Sequence, residues 1–121
     1  MKIERFEDIQ GWQEARSLTK NIYELTNRLP FKRDQGLSRQ IQGASVSIMA
    51  NIAEGFDRQS KKEFSRFLNY GSASASEVQS HLYVALDQNY ISDENLQETY
   101  NQVKKTKSLI NGFIKYLKGR K

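Results

Sequence analysis

Four runs of this chain carry apolar residues at steps of three and four, the spacing that lines one face of a helix. The first holds Ile9, Trp12, Ala15, Leu18, Ile22, Leu25 and Leu29; Asp8 stands where a cap belongs, Pro30 stops the run, and Phe31 to Gln35 reads as a polar loop. The second holds Leu37, Ile41, Ala44, Ile48 and Ile52. The third, opened by Ser60 and Glu63 in an S-x-x-E capping box, holds Phe64, Leu68, Gly71, Ala75, Val78, Leu82, Ala85 and Leu86. The fourth starts at a Ser92 cap with Asp93 and Glu94 in its first turn, and holds Leu96, Tyr100, Val103, Ile110, Phe113, Ile114 and Leu117. These signals predict helices near 8–29, 36–56, 60–89 and 92–118, with Phe6 packing from a short lead-in and Gly119, Arg120 and Lys121 fraying. Short loops make successive helices antiparallel neighbours. The expected fold is therefore all-α, a single up-down-up-down four-helix bundle domain over residues 1–121.

Within the second run, Gln40 to Gly55 carries no charge before Glu54, in a chain where 27% of residues are charged. Val46, Met49 and Ala53 fall opposite its core face, where a surface helix would be polar. That face needs cover from a further helix or from another copy of the chain, so these three are the expected oligomer contact. Gly43, Ala44, Ser45, Ser47 and Ala50 would permit close helix approach.

A polar stripe flanks the same helix: Ser47, Asn51, Glu54 and Arg58, spaced 4, 3 and 4 apart. The third helix repeats that rhythm with Tyr70, Ser74, Glu77 and His81. The plain reading is a solvated helix end. The sharper reading is a polar network, built on Asn51, Glu54, Arg58, Ser74 and Glu77, that orders helix or subunit packing. His81 reads as an ordinary exposed or hydrogen-bonded histidine, and Trp12 as a core anchor rather than a stacking platform.

Composition narrows the chemistry. With no cysteine and one histidine, the chain offers no disulfide framework and no metal constellation. It has no Gly-rich phosphate loop, no H-E-x-x-H and no nucleophile with an evident base. Glu54 and Glu77 should lie several turns apart, too far for joint acid–base work. We therefore expect no enzyme and no cofactor. No apolar run approaches the roughly 20 residues of a membrane span. The charged opening MKIERFEDIQ lacks a signal-peptide core, so a cytoplasmic location is expected.

The net charge of +5 is concentrated near the end: from Val103 to Lys121 there are seven basic residues and no acidic one. Lys104, Lys107, Lys115 and Lys118 fall within about 80° on a helical wheel, with Asn111 between them. Cations suit a helix C-terminus, which accounts for Lys115 and Lys118 but less well for Lys104 and Lys107. The alternative is a stripe that binds the backbone of RNA or DNA. No RNA-binding aromatic motif accompanies it.

The stretch from Ser47 to Ile91 resembles a known pattern: S-I-x-x-N-I-A-E-G, an Arg, S-x-x-E-F, F-L, then G-S-x-x-E-V and a Y-I-A-L-D-like run. Ser47, Ile48, Asn51 to Gly55, Arg58, Ser60, Glu63, Phe64, Phe67, Leu68, Ser74, Glu77 and Val78 match it. Phe6, Trp12, Ala15, Pro30, Leu37 and Gln40 fit as well, while Ala73 and Val84 depart from the usual Gly and Ile. The pattern is that of the small bacterial four-helix-bundle family encoded within intervening sequences of 23S ribosomal RNA genes. The resemblance implies a ring-like homopentamer. The family's placement in ribosomal RNA genes, and its likeness to accessory proteins of diversity-generating retroelements, lean towards nucleic acid. Two functions follow: an oligomeric module that binds RNA or DNA by charge, or a scaffold that binds a protein partner.

Overall fold

The computed structural model describes residues 2–119; Met1, Arg120 and Lys121, and with them the expected fraying of the last two, lie outside it. Four α-helices account for most of the chain: α1 (Gln10–Thr26), α2 (Gln35–Phe56), α3 (Lys61–Asp87) and α4 (Asp93–Gly119). Short 3-10 turns at Phe6–Asp8 and Phe31–Arg33 precede α1 and α2, and there is no strand among the described residues. None of these helices is long and apolar enough to cross a membrane.

The helix starts follow from local hydrogen bonding. Ser60 Oγ accepts from the Glu63 amide at 3.1 Å and Ser92 Oγ from the Asn95 amide at 3.0 Å, as their positions predict. Asp8 behaves differently. Its carboxylate accepts from the Glu4 and Arg5 amides at 3.0 and 3.3 Å, closing the first 3-10 turn, and α1 begins after Ile9 without a side-chain cap. The helix also ends earlier than expected, at Thr26.

In the link from 27 to 34 two expectations fail: Leu29 as a core residue of the first helix, and Phe31 to Gln35 as a polar loop. Leu29 is 64% exposed, whereas Phe31 is fully buried. The reason lies across the molecule. Asn89, at φ 62, ends α3 in a left-handed turn in which the Tyr90 amide donates to Ala85 O and the Asn89 amide to Leu86 O, both at 2.9 Å. This turn delivers the Tyr90 ring onto Phe31, 5.2 Å between centroids. The Tyr90 hydroxyl donates to Asp34 Oδ2 at 3.0 Å, while Asp34 Oδ1 caps α2 by accepting from the Leu37 amide at 3.0 Å.

The helices pack side by side around one core, α2 most extensively against α3, with α1 touching both α2 and α4. Leu18, Ile22, Ile41, Ile48, Ile52, Leu68, Leu82 and Ile110 are its largest fully buried aliphatics, each a residue that the helical spacing points inward. Trp12 is half-buried at the core edge, with its ring against Phe6. The closest approach is at Gly55, where an added Cβ would stand 2.9 Å from both Phe64 Cδ1 and Phe67 Cβ. Ala73, the departure from the family pattern, is exposed; the crossing of α2 and α3 is made instead by Gly55 and Gly71.

Candidate nucleic-acid interface

All four lysines of the basic stripe lie on α4. Lys104, Lys115 and Lys118 are exposed and carry no ion pair among the described residues. Lys107 is half-buried and donates from Nζ to Ser76 Oγ of α3 at 2.8 Å. The stripe therefore runs along the flank of α4 that leans on α3. Tyr100 continues it one turn before Lys104, and its ring meets the edge of Tyr83, which is 49% exposed on α3. Sequence reasoning missed this aromatic end, because Tyr83 belongs to another helix and only the packing brings it to the stripe. A cationic flank ending in an exposed ring offers phosphate contacts and a face on which a base can stack.

The polar-network residues separate into three groups. Ser47 and Ser74 share a hydrogen bond across α2 and α3 at 3.0 Å, and Asn51 Nδ2 donates to Ser47 Oγ at 3.1 Å and to Ser47 O at 2.9 Å. Glu54 and Arg58 form a solvent-facing pair at 3.5 Å, with the Arg58 guanidinium 4.4 Å over the Phe67 ring. Glu77 faces His81 on its own helix at 3.8 Å, beyond hydrogen-bond reach. The His81 side chain is only 15% exposed and its Nε2 is buried with no hydrogen-bond partner among the described residues, so the ordinary exposed or hydrogen-bonded histidine does not describe it. Of the five, Asn51 and Ser74 are brought together through Ser47, and Glu54 pairs with Arg58; no hydrogen bond or ion pair among the described residues links these two groups to each other or to Glu77.

The expected oligomer contact is likewise uneven. Val46 is 43% exposed, while Met49 and Ala53 are half-buried, Met49 against the core. The exposed surface beside Val46 is made of Gly43 and Ala50.

A polar seam between α1 and α4 was not foreseen. Asn21 Nδ2 donates to Gln102 Oε1 at 2.8 Å, and Gln102 Nε2 donates to Glu14 Oε2 and Ser17 Oγ, each at 3.2 Å. Lys105 pairs with Glu14 at 3.3 Å. Its signal was present: Glu14, Ser17 and Asn21 are spaced 3 and 4 apart, the same rhythm as the stripes on α2 and α3. No group of three or more His, Asp or Glu side chains that could hold a metal occurs among the described residues.

The sequence model of one family, described as 23S rRNA-intervening sequence protein, matches residues 7–112. No curated protein matches. Among solved structures, a protein with unknown function from the S23 ribosomal protein family of Bacteroides thetaiotaomicron VPI-5482 is similar, with TM-score 0.78 and 25% identity, over 87% of this chain and 98% of that one.

Proposed function

The chain belongs to the 23S rRNA-intervening sequence protein family, and from that premise we propose that it is a non-enzymatic, oligomeric four-helix bundle that binds RNA or DNA through the α4 stripe. The observation that carries the reading is the row of unpaired Lys104, Lys115 and Lys118, joined by Lys107 and closed by the Tyr100 and Tyr83 rings. No acidic side chain lies on α4 beyond Glu98 to oppose a phosphate.

An up-down-up-down order supports this use, because it sets the stripe along one long edge. In favour of that order, Thr19 bonds Ser45 O and Gln42 bonds Thr26, while Ser47 meets Ser74 and Gly55 meets Phe64. Ser76 meets Lys107 and Tyr83 meets Tyr100 in the same descending sense. Assembly into a homo-oligomer, a pentamer by family resemblance, is supported by the uncharged outward surface of α2 around Val46. Repetition would multiply the stripe. The same surface favours a second reading, a scaffold for a protein partner.

The test is binding of single-stranded RNA and duplex DNA across a salt series. Replacing Lys104, Lys107, Lys115 and Lys118 by glutamine should weaken binding and flatten the salt slope by about one for each phosphate no longer neutralised. Sequence preference should be weak, since backbone contacts carry no base information. Equal binding by both proteins would remove the stripe. Absence of binding by the wild type at low salt would leave the protein-scaffold reading.

A further inference from the structure

On the side of the molecule away from the stripe, α1, α2 and the link between them line an open cleft of about 630 Å³. Its rim holds three exposed cations, Lys20, Lys32 and Arg39, none with an ion pair among the described residues. Tyr23, 46% exposed, lines the same cleft, and its ring makes no contact with another aromatic among the described residues. The amides of Asn27 and Gln35 line the cleft and have no hydrogen-bond partner there, and Gln42 uses its Nε2 on Thr26 Oγ1 at 2.8 Å. Glu24 completes the lining as a single acid.

We propose that this cleft takes one nucleotide of a single-stranded RNA or DNA: phosphate on Lys20, Lys32 and Arg39, base stacked on Tyr23, base edge read by Asn27, Gln35 and Glu24. Each chemistry has a reason to be there. Unpaired cations beside a concave surface attract a phosphate. An exposed aromatic face supplies stacking that every base can use. Amides present a donor and an acceptor together, which suits the edge of an unpaired base. Glu24 separates the polyanions by what else they carry. Its carboxylate opposes a phosphate and an acidic side chain alike, but it accepts from an N–H on a base edge, the uracil N3–H included, which an acidic side chain lacks. A duplex can offer phosphate to the cations but cannot use the Tyr23 ring or the base-edge groups, because its bases are stacked on one another and turned inward.

The proposal rests on the nucleic-acid reading but uses other residues, so the two can fail separately. The probe is a labelled oligouridylate of about twelve nucleotides, compared with an RNA duplex of equal length. Tyr23→Ala should weaken binding of the single strand about tenfold and leave duplex binding unchanged, while Tyr23→Phe should keep both. The side chain is half in solvent on a helix that tolerates alanine, so the fold should survive; circular dichroism checks it. A 4-thiouridine oligonucleotide should crosslink to the tryptic peptide 21–28. Equal single-strand affinity in wild type and Tyr23→Ala, or crosslinks confined to α4, would overturn the cleft while leaving the stripe standing. Loss in Tyr23→Ala with no loss in the quadruple lysine variant would uphold the cleft and overturn the stripe. Tighter binding of polyglutamate than of oligouridylate, lost in Lys20→Gln with Arg39→Gln, would overturn it in favour of an acidic protein partner.

Discussion

Gly55 has no room for a side chain: a methyl group there would collide with Phe64 and Phe67 at 2.9 Å, and with Phe64 O at 3.3 Å. The Phe64 backbone cannot retreat without moving α3, so Gly55→Ala should destabilise by about 1–3 kcal/mol despite its better helix propensity. Gly112, on the exposed side of α4, has nothing within 4 Å of the corresponding position. There alanine should stabilise by about 0.5–1 kcal/mol. Urea unfolding of the two variants checks the pair; a shift in the same direction would mean that propensity, not packing, decides at Gly55. Tyr90 supplies a pH signature. Its phenol is held above its ordinary 10.0, first by the hydrogen bond to Asp34, then by desolvation and the Asp34 charge. A raised value means that folding favours the protonated phenol. Its contribution is thus complete below 10.0 and fades as pH rises through the higher folded value. Tyr90→Phe should lower the melting temperature at neutral pH, and the gap from wild type should narrow in strong alkali. A gap independent of pH would remove the hydrogen bond from the account.

At the scale of elements, Asp34 does two things at the start of α2, capping it through the Leu37 amide and accepting from Tyr90 at the end of α3. Asp34→Ala loses both and should cost about 1–2 kcal/mol. Asp34→Asn keeps a good cap and should recover most of that loss. Thermal unfolding of both variants separates capping from the contact with Tyr90. This junction also shows what the sequence conceals. Four amphipathic periods made the helices legible, because burial on one face is written at steps of three and four. The link from 27 to 34 was not. Leu29 is apolar and exposed, and Phe31 sits in a polar stretch and is buried, because its cover is a ring near sixty positions later. The polar stripes were legible as spacing on each helix. Which members meet depends on the register between helices, and that register joins Ser47 to Ser74 while leaving Glu54 and Glu77 on separate turns. The α4 lysines were legible on a wheel; Tyr83 beside them was not.

At the scale of the whole molecule, each chain carries a net charge of +5, and repetition around an axis would gather that charge onto one particle. The surface proposed for that assembly is the outward one of α2: Val46 at 43% exposure, flanked by exposed Gly43 and Ala50. Burying a glutamate in such a contact without a partner is costly. Val46 is the sharper probe than Met49, since Met49 also packs against the core and its replacement would disturb fold and assembly together. Val46→Glu should keep helical content and melting cooperativity but reduce the particle from about five times 14.0 kDa to one. Light scattering reads that mass. A wild type that remains a monomer at high concentration would refute assembly, and an intact oligomer in Val46→Glu would move the contact elsewhere. Affinity then follows from geometry. A long RNA that reaches several stripes at once gains from their effective concentration, by about a hundredfold or more. An RNA short enough to touch one stripe gains nothing. Val46→Glu should therefore weaken binding of long RNA while leaving the short probe unchanged, although every lysine of α4 is intact. Equal loss on both probes would mean that the substitution damaged the stripe itself, and no loss on either would mean that each subunit binds alone.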